Sequence, residues 1–253
     1  MQHRYFACKI CGGDTVPFTT YPPPATSTVR CRDCGLIQVV FGSLKEQGDW
    51  VCQYSDPGYY HCMRVLDGFK DFEERRAHDR RIAVGRFENL QRHTPAIGTL
   101  LDVGASNGAF IAEAESRGFL ATGLEPDPWT VKQAKMDNLV CSFVEDWAGM
   151  CADGVYDVVT FIDSFEHVLN PKVVLRLVHR VLADDGLLVI EMPDAGCDGV
   201  VVGPSWKHFK PEEHAFLYTQ RHVDDLLGMT SFILIDTIIP YPEKRTYYVR
   251  KAV

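Results

Sequence analysis

Four cysteines fall in two C-x-x-C pairs, Cys8-Lys9-Ile10-Cys11 and Cys31-Arg32-Asp33-Cys34, with 19 residues between them. That is the ligand spacing of a four-thiolate zinc site. Four thiolates complete the tetrahedron and leave no position for water or substrate, so such a metal is expected to be structural. A glycine follows each pair (Gly12 and Gly35) and supplies a turn that points backbone N–H groups at sulfur. The segment between the pairs contains Tyr21-Pro22-Pro23-Pro24, too stiff to build a core, so the metal would take the core's place. The competing reading is four ordinary thiols or a redox pair. The other five cysteines (Cys52, Cys62, Cys141, Cys151 and Cys197) have no ligand spacing and read as thiols in a reducing compartment.

A second chemistry-bearing stretch is Leu100 to Asp127, LLDVGASNGAFIAEAESRGFLATGLEPD. It reads as a buried strand over 99–103, a small-residue turn over 104–108, a helix over 109–117 and a strand over 121–124 that ends on Glu125. A β-turn-α-β unit with a glycine turn and an acid about 20 residues on cradles nucleotides. Gly104 permits the sharp turn and a close approach to ligand, and Glu125 is placed to accept from ribose hydroxyls. Gly104, Ser106 and Ala109 can be stretched to the dinucleotide fingerprint; Gly104, Ser106 and Gly108 fit the spacing used for S-adenosylmethionine. Asp102, two residues before the first glycine, favours the second reading, because a carboxylate there suits a cationic amino-acid ligand.

These residues need a scaffold, and the rest of the chain supplies one. Pro126-Asp127-Pro128-Trp129 starts a helix over 130–135, a short strand follows near 140–143, and Glu145, Asp146 and Trp147 lie beyond it. Tyr156 to Asp163 is a β-rich run expected to be a central strand. Pro171 opens a long helix, 183–186 forms a turn, and 187–191 is a fifth strand. Strands alternating with helices imply a doubly wound, Rossmann-like parallel α/β sheet. Two β-rich runs, 231–239 and 246–253, are expected to close the chain as an antiparallel hairpin at the sheet edge. Before the sheet, 63–93 reads as a helix with Phe69, Phe72, Ile82, Val84, Phe87 and Leu90 as its buried stripe and Glu73 to Arg81 as a solvated face. The aromatic stretch 50–61 either packs the ribbon on the core or, through Tyr54, Tyr59 and Tyr60, forms a lid that excludes water. The resulting division is 1–50, a zinc ribbon; 51–96, an aromatic loop and helical connector; and 97–253, the cofactor domain.

At 253 residues and 46% apolar, the chain can bury one full core and a small appendage. A net charge of -8 argues against a polyanionic partner. The ribbon, with Arg4, Lys9, Arg30, Arg32 and Lys45 against Asp14, Asp33, Glu46 and Asp49, is close to balanced. Neither a targeting segment nor an apolar span of about 18 residues is present, so a soluble cytoplasmic protein is expected.

In their order and spacing, LLDVGASNG, GLEPD, YDVVTFIDSFEHVLNP and VLADDGLLVIEMPD resemble a class I S-adenosylmethionine-dependent methyltransferase over residues 97–253. With the ribbon in front, the chain is similar to bacterial methyltransferases acting on sugar nucleotides, polysaccharides and natural products. Sugar C-methyltransferases of that kind continue into a further large carboxy-terminal domain, which leaves oxygen, nitrogen and carbon all open as acceptor. Ser106 stands where the usual turn has its middle glycine. The resemblance implies methyl transfer from a sulfonium to a small-molecule acceptor. The cofactor would be held by Asp102, Gly104, Ala105, Ser106, Gly108, Glu125, Pro126 and Asp163, with Glu145 and Asp146 at the adenine amino group and Trp147 stacked on the ring. Structural Zn²⁺ would complete the cofactor set.

An oxygen or carbon acceptor needs a base, and open α/β sheets place ligands at the carboxyl ends of their strands. Asp163 and His167 flank one such end. Asp163-x-x-Glu166-His167 also resembles a stretch in ubiquinone-pathway O-methyltransferases and a small-RNA methyltransferase family that can hold a divalent metal. The roles open to it are ordering the loop, general base and metal ligand. After the fifth strand, Trp206 to Tyr218 supplies aromatic walls and two imidazoles. His214, beside Glu213, is the first choice for an acceptor-side base, against a role in capping the helix expected over 219–227. Lys207 and Lys210 could answer a phosphate. Two other functions remain open: modification of RNA or protein recruited through the ribbon, and binding of S-adenosylmethionine without turnover.

Overall fold

Adjacent apolar residues on the central strands face opposite ways, and both faces are covered. In the computed structural model, which describes residues 6–21, 26–56, 68–94 and 97–252, seven strands form the main sheet. They are β4 (Thr99–Val103), β5 (Leu120–Leu124), β6 (Leu139–Val140), β7 (Tyr156–Ile162), β8 (Leu182–Pro193), β10 (Phe232–Ile238) and β11 (Lys244–Lys251). The order is β10-β11-β8-β7-β4-β5-β6. β6, β5, β4, β7 and β8 run parallel, and β11 returns antiparallel on β8 with β10 outside it. The doubly wound sheet and its antiparallel closing hairpin are therefore as expected.

One face of the sheet packs Leu100, Val158, Leu187 and Val189 against α2 (Phe72–Gln91), α3 (Ala109–Ser116) and α4 (Pro128–Ala134). The other packs Leu101, Val159, Leu188 and Ile190 against α5 (Val144–Met150), α6 (Pro171–Val181) and α7 (Gln220–Met229). α6 buries Val174, Leu175, Val178 and Val181 on one stripe, each contributing about 1.5–3 kcal/mol relative to exposure. α2 differs from the expected stripe. Phe72, Ala83, Phe87 and Leu90 are buried while Val84 is exposed, because positions 83, 87 and 90 share the helical face that meets α3. Asp71 caps α2 by accepting from the Glu74 amide; the expected start at 63 lies outside the described residues. The residues expected to turn at 183–186 are instead part of β8, where the pairing with β7 shifts register between Leu182, opposite Tyr156, and Leu187, opposite Val158. The expected strand near 140–143 shortens to β6, and α5 begins at Val144.

The amino-terminal segment does not stand alone. β1 (Thr15–Tyr21), β2 (Thr26–Cys31) and β3 (Ile37–Val40) form an antiparallel sheet whose fourth strand, β9 (Phe216–Leu217), comes from the insertion after β8. Cys8, Ile10, Cys31 and Leu36 join the core on the α6 and α7 side. The first fifty residues thus share packing with the rest of the chain, as expected of a segment that buries little surface on its own. Among the described residues no helix is long and apolar enough to cross a membrane.

Candidate functional site

At the carboxyl edge of β4 the chain turns through 104–108 into α3. Gly104 sits at φ +78°, and a Cβ built there would lie 2.5 Å from the Ser164 Cβ. The glycine is thus demanded by the neighbouring strand end as well as by any ligand. Ser164 Oγ donates to the Val103 carbonyl at 2.5 Å and closes that seam. Gly108, at φ +76°, is the N-cap of α3, and its Cβ would meet the Met136 sulfur. Ser106 adopts φ +49°, a left-handed conformation that favours glycine. Its amide donates to Glu125 Oε2 at 2.9 Å, while Glu125 Oε1 accepts from the Asp127 amide. Glu125 therefore bridges the turn after β4 and the turn after β5, and each oxygen keeps a further lone pair. Burial pushes its carboxyl up to about 7 against those two N–H donors. Asp102 is 2% exposed and accepts from Thr160 Oγ1 at 2.6 Å; burial raises it to about 6. Ala105 is buried beside the corner, its amide donating to the Leu124 carbonyl, and the Pro126 carbonyl accepts from Cys141 Sγ.

Glu145 and Asp146 lie exposed in the first turn of α5. Trp147 is turned away from them. Its indole packs on the core and donates to Tyr156 Oη at 2.9 Å. Tyr156 begins β7, at the end of the sheet opposite the cleft, so the structure does not bring the Trp147 ring to the glycine corner. The residue one turn into a helix points inward, a direction fixed by helical phase.

Asp163, at φ +52°, ends β7. Both its oxygens accept from Lys244 Nζ at 2.6 Å, and Arg86 reaches it at 3.1 Å and Glu191 at 2.5 Å. Burial alone would raise the Asp163 carboxyl, but Lys244 and Arg86 outweigh it and hold the group below its usual range. A carboxylate clamped by two cations is a poor proton acceptor.

His167 and His214 do come together, with Glu166 between them. Glu166 is 3% exposed, and its Oε1 lies 4.0 Å from His167 Nε2 and 3.9 Å from His214 Nε2. The two imidazole rings meet edge to face at 5.0 Å. Burial drives His167 down to about 4 and holds His214 well below its ordinary value, and burial with the Asp163 charge pushes Glu166 up to about 8. The insertion carrying His214 is clamped from the segment after the ribbon. α1 (Leu44–Cys52) and the 3-10 turn Gln53–Ser55 aim Trp50 Nε1, Gln53 Nε2 and Tyr54 Oη at the successive carbonyls of Pro211, Glu212 and Glu213. Tyr54 thus packs ribbon to core; Tyr59 and Tyr60 lie outside the described residues. His214 does not cap α7. That helix has a capping box between Thr219 and His222, and His222 Nε2 meets the Cys34 carbonyl. Lys207 pairs with Glu243 and Lys210 with Glu213.

The four ribbon cysteines converge, Cys8 Sγ to Cys34 Sγ at 3.6 Å and Cys11 Sγ to Cys31 Sγ at 3.4 Å, all within 4.8 Å of one another. Sulfurs about 2.3 Å from one zinc stand at tetrahedral separations of this size, whereas a disulfide needs about 2.05 Å. Gly12 and Gly35, both at positive φ, return their amides to the Cys8 and Cys31 carbonyls, closing two knuckles. Burial opposes ionisation of Cys31, but the backbone amides of Cys34 and Asp33 prevail and bring it down to about 7. The donor set fits zinc.

Sequence reasoning singled out Asp163 and Tyr54 but missed Arg86, Lys244 and the His167 partner of Tyr54. Nothing local marks them, since each meets its partner from 77 or more residues away.

A methyltransferase-domain family model matches residues 70–232. A ubiquinone biosynthesis O-methyltransferase of Pseudomonas paraeruginosa is 30% identical over 95 residues, which is 35% of this chain and 41% of that protein. The chain thus spans about two fifths of that curated relative. Among solved structures, the 1,6-didemethyltoxoflavin N1-methyltransferase of Burkholderia thailandensis, with S-adenosylhomocysteine and 1,6-didemethyltoxoflavin bound, superposes with a TM-score of 0.63 at 15% identity, covering 94% of this chain and 99% of the other. A SAM-dependent methyltransferase from Archaeoglobus fulgidus gives 0.56 at 13% identity, over 76% and 100%. At these identities the likeness is one of fold.

Proposed function

This chain belongs to the methyltransferase-domain family, and from that premise we propose that it transfers a methyl group from S-adenosylmethionine to a small-molecule acceptor. The observation that carries the reading is the Glu125 carboxylate held across the glycine corner at the carboxyl edge of the sheet. When bound, S-adenosylmethionine supplies a methyl on a sulfonium, a good leaving group. The protein's tasks are then to orient the two reactants and exclude water. Glu125 takes the ribose hydroxyls, Gly104, Ala105, Ser106 and Gly108 shape the corner, and Asp102 answers the positive charge of the amino-acid portion. Pro126, Glu145 and Asp146 border the adenosine side, and Asp163, ion-paired, orders the loop.

The acceptor side is assigned to His167 and His214, whose low proton affinity keeps a nitrogen lone pair free at neutral pH. The names of the relatives, a ubiquinone biosynthesis O-methyltransferase and a 1,6-didemethyltoxoflavin N1-methyltransferase with 1,6-didemethyltoxoflavin bound, support a small organic acceptor over a macromolecule. A sugar nucleotide, saccharide or natural product falls in that class, and the acceptor atom is proposed as oxygen or nitrogen. Cys8, Cys11, Cys31 and Cys34 are proposed to hold a structural zinc. The test incubates the protein with methyl-labelled S-adenosylmethionine and a metabolite extract. Label in a small-molecule product supports the reading; label only in RNA or protein, or no binding of the methyl donor in calorimetry, sinks it.

A further inference from the structure

We propose that Tyr54, on the segment that joins the ribbon to the sheet, is a positioning residue of the methyl-transfer site: acting through His167, it fixes the ring proton on Nδ1 and leaves Nε2 as the proton-accepting nitrogen. Hydrogen bonds assign the protons. A peptide carbonyl can only accept, so the 2.6 Å contact between Tyr54 Oη and the Glu213 carbonyl takes the single hydroxyl proton. The same oxygen stands 2.9 Å from His167 Nδ1 with only lone pairs left to offer, so Nδ1 carries the hydrogen. Which imidazole nitrogen is bare follows from the hydrogen bond that the other one makes. Nε2 lies 4.0 Å from Glu166 Oε1, too far for a hydrogen bond, and burial keeps the ring neutral at neutral pH.

Tyr54 is itself held in place. Trp50, Gln53 and Tyr54 are spaced i, i+3 and i+4 along α1 and the 3-10 turn that continues it. That spacing puts them on one face, which is why their side chains reach three successive carbonyls. Phe41, Trp50, Tyr54, His167 and His214 form a row of rings in edge contact, their centroids 5.8, 5.4, 5.5 and 5.0 Å apart in turn. The row starts just after β3 and ends in the insertion, and Trp50 within it is buried. The Glu213 carbonyl belongs to the peptide that leads into His214. One hydroxyl thus ties the ring of His167 and the backbone of His214 to a common point.

The role in turnover rests on the methyl-transfer reading. The acceptor's O–H or N–H proton passes to Nε2, its electron pair bonds to the methyl carbon, and the C–S electrons leave with sulfur, which becomes a neutral thioether. The imidazolium that forms keeps its Nδ1–H on the Tyr54 oxygen, so the ring takes the proton without turning. In the opposite tautomer Nε2 would already hold a hydrogen and could accept none. Nothing else the ring touches sets this choice, since its contact with His214 is edge to face. Tyr54 also precedes the matched methyltransferase domain, residues 70–232. The segment that follows the ribbon therefore supplies the site with a group from outside that domain, and this gives the ribbon's docking on the insertion a chemical purpose.

The test reads the tautomer directly. Full-length protein carrying ¹⁵N-histidine is studied by long-range ¹⁵N–¹H correlation near neutral pH, where bare and protonated ring nitrogens resonate far apart. The signal of His167 is the one missing from His167→Gln. The wild type is expected to show Nδ1–H alone, and Tyr54→Phe, which keeps the ring against Trp50, to show the Nε2–H form. Turnover of Tyr54→Phe, measured as label passed from saturating methyl-labelled S-adenosylmethionine to small molecules of a metabolite extract, is expected to fall about tenfold. A wild-type His167 protonated on Nε2 overturns the proposal, as does a Tyr54→Phe variant that keeps Nδ1–H alone. Unchanged turnover in a variant whose tautomer has shifted overturns it too. Should the variant fail to fold, the wild-type spectrum decides. Calorimetry with S-adenosylmethionine separates the two failures: a wild type that binds no methyl donor fails the methyl-transfer reading, while the spectrum still judges the hold of Tyr54 on His167.

Discussion

Replacing Asp102 with asparagine separates what this carboxylate does for the fold from what it does for the cofactor. The group is 2% exposed and has the Thr160 hydroxyl as a partner. Burial raises its pKa from 3.8 to about 6. Because the folded value lies above the unfolded one, the group's contribution to stability is fully present below about pH 4 and is lost as pH rises through 6. One pKa unit is about 1.4 kcal/mol, so the loss amounts to about 3 kcal/mol. Asp102→Asn cannot titrate. The stability of the variant minus that of the wild type, from urea unfolding without cofactor, should therefore climb by about 3 kcal/mol between pH 4 and pH 7 and then level off. Any constant offset from the asparagine amide leaves this slope untouched. In the same variant the affinity for S-adenosylmethionine at pH 8 should fall at least about tenfold, or about 1.4 kcal/mol. A difference that is flat with pH would mean that the carboxylate is not desolvated in the folded protein. Unchanged affinity would remove Asp102 from the cofactor site.

Ser106→Gly relieves a left-handed serine and should stabilise the protein by about 1 kcal/mol, read from the urea midpoint at unchanged slope; a destabilised variant would contradict the backbone geometry. Tyr54→Phe removes the hydroxyl that ties His167 to the Glu213 carbonyl. It should cost about 1–3 kcal/mol and lower turnover while leaving S-adenosylmethionine affinity unchanged in calorimetry. With zinc held by the ribbon cysteines as proposed, a chelator should raise amide exchange at Val39 and Leu217 along with that at Cys31 and Gly35, because β9 pairs with β3; protection that persists at β9 would show that the insertion holds without the ribbon.

Local signals made much of this protein readable from its sequence. The glycine corner and Glu125 lie within about two dozen residues and are tied by backbone geometry, so spacing alone carries them. The same holds for the cysteine pairs, where ligand number and spacing define the coordination. Strands such as β4 and β7 are apolar on both faces and announce a doubly covered sheet. The helical phase that turns Trp147 inward and exposes Val84 was less legible, since one position of rotation moves a side chain from core to solvent.

What the sequence determined was the scaffold, the glycine corner and the thiolate cluster, each written in residues close along the chain. The tertiary structure alone decided the partners of Asp163, His167 and the insertion that carries His214. Lys244 neutralises Asp163 from 81 residues away, Tyr54 anchors an insertion 159 residues on, and β9 completes a sheet begun at residue 15. Spacing cannot encode such meetings, because the distance along the chain between two side chains says nothing of their separation until the sheet order is set. Asp163 and His214 both carry chemistry by type. Which of them ends clamped between cations, and which ends with its Nε2 3.9 Å from Glu166, is a consequence of packing.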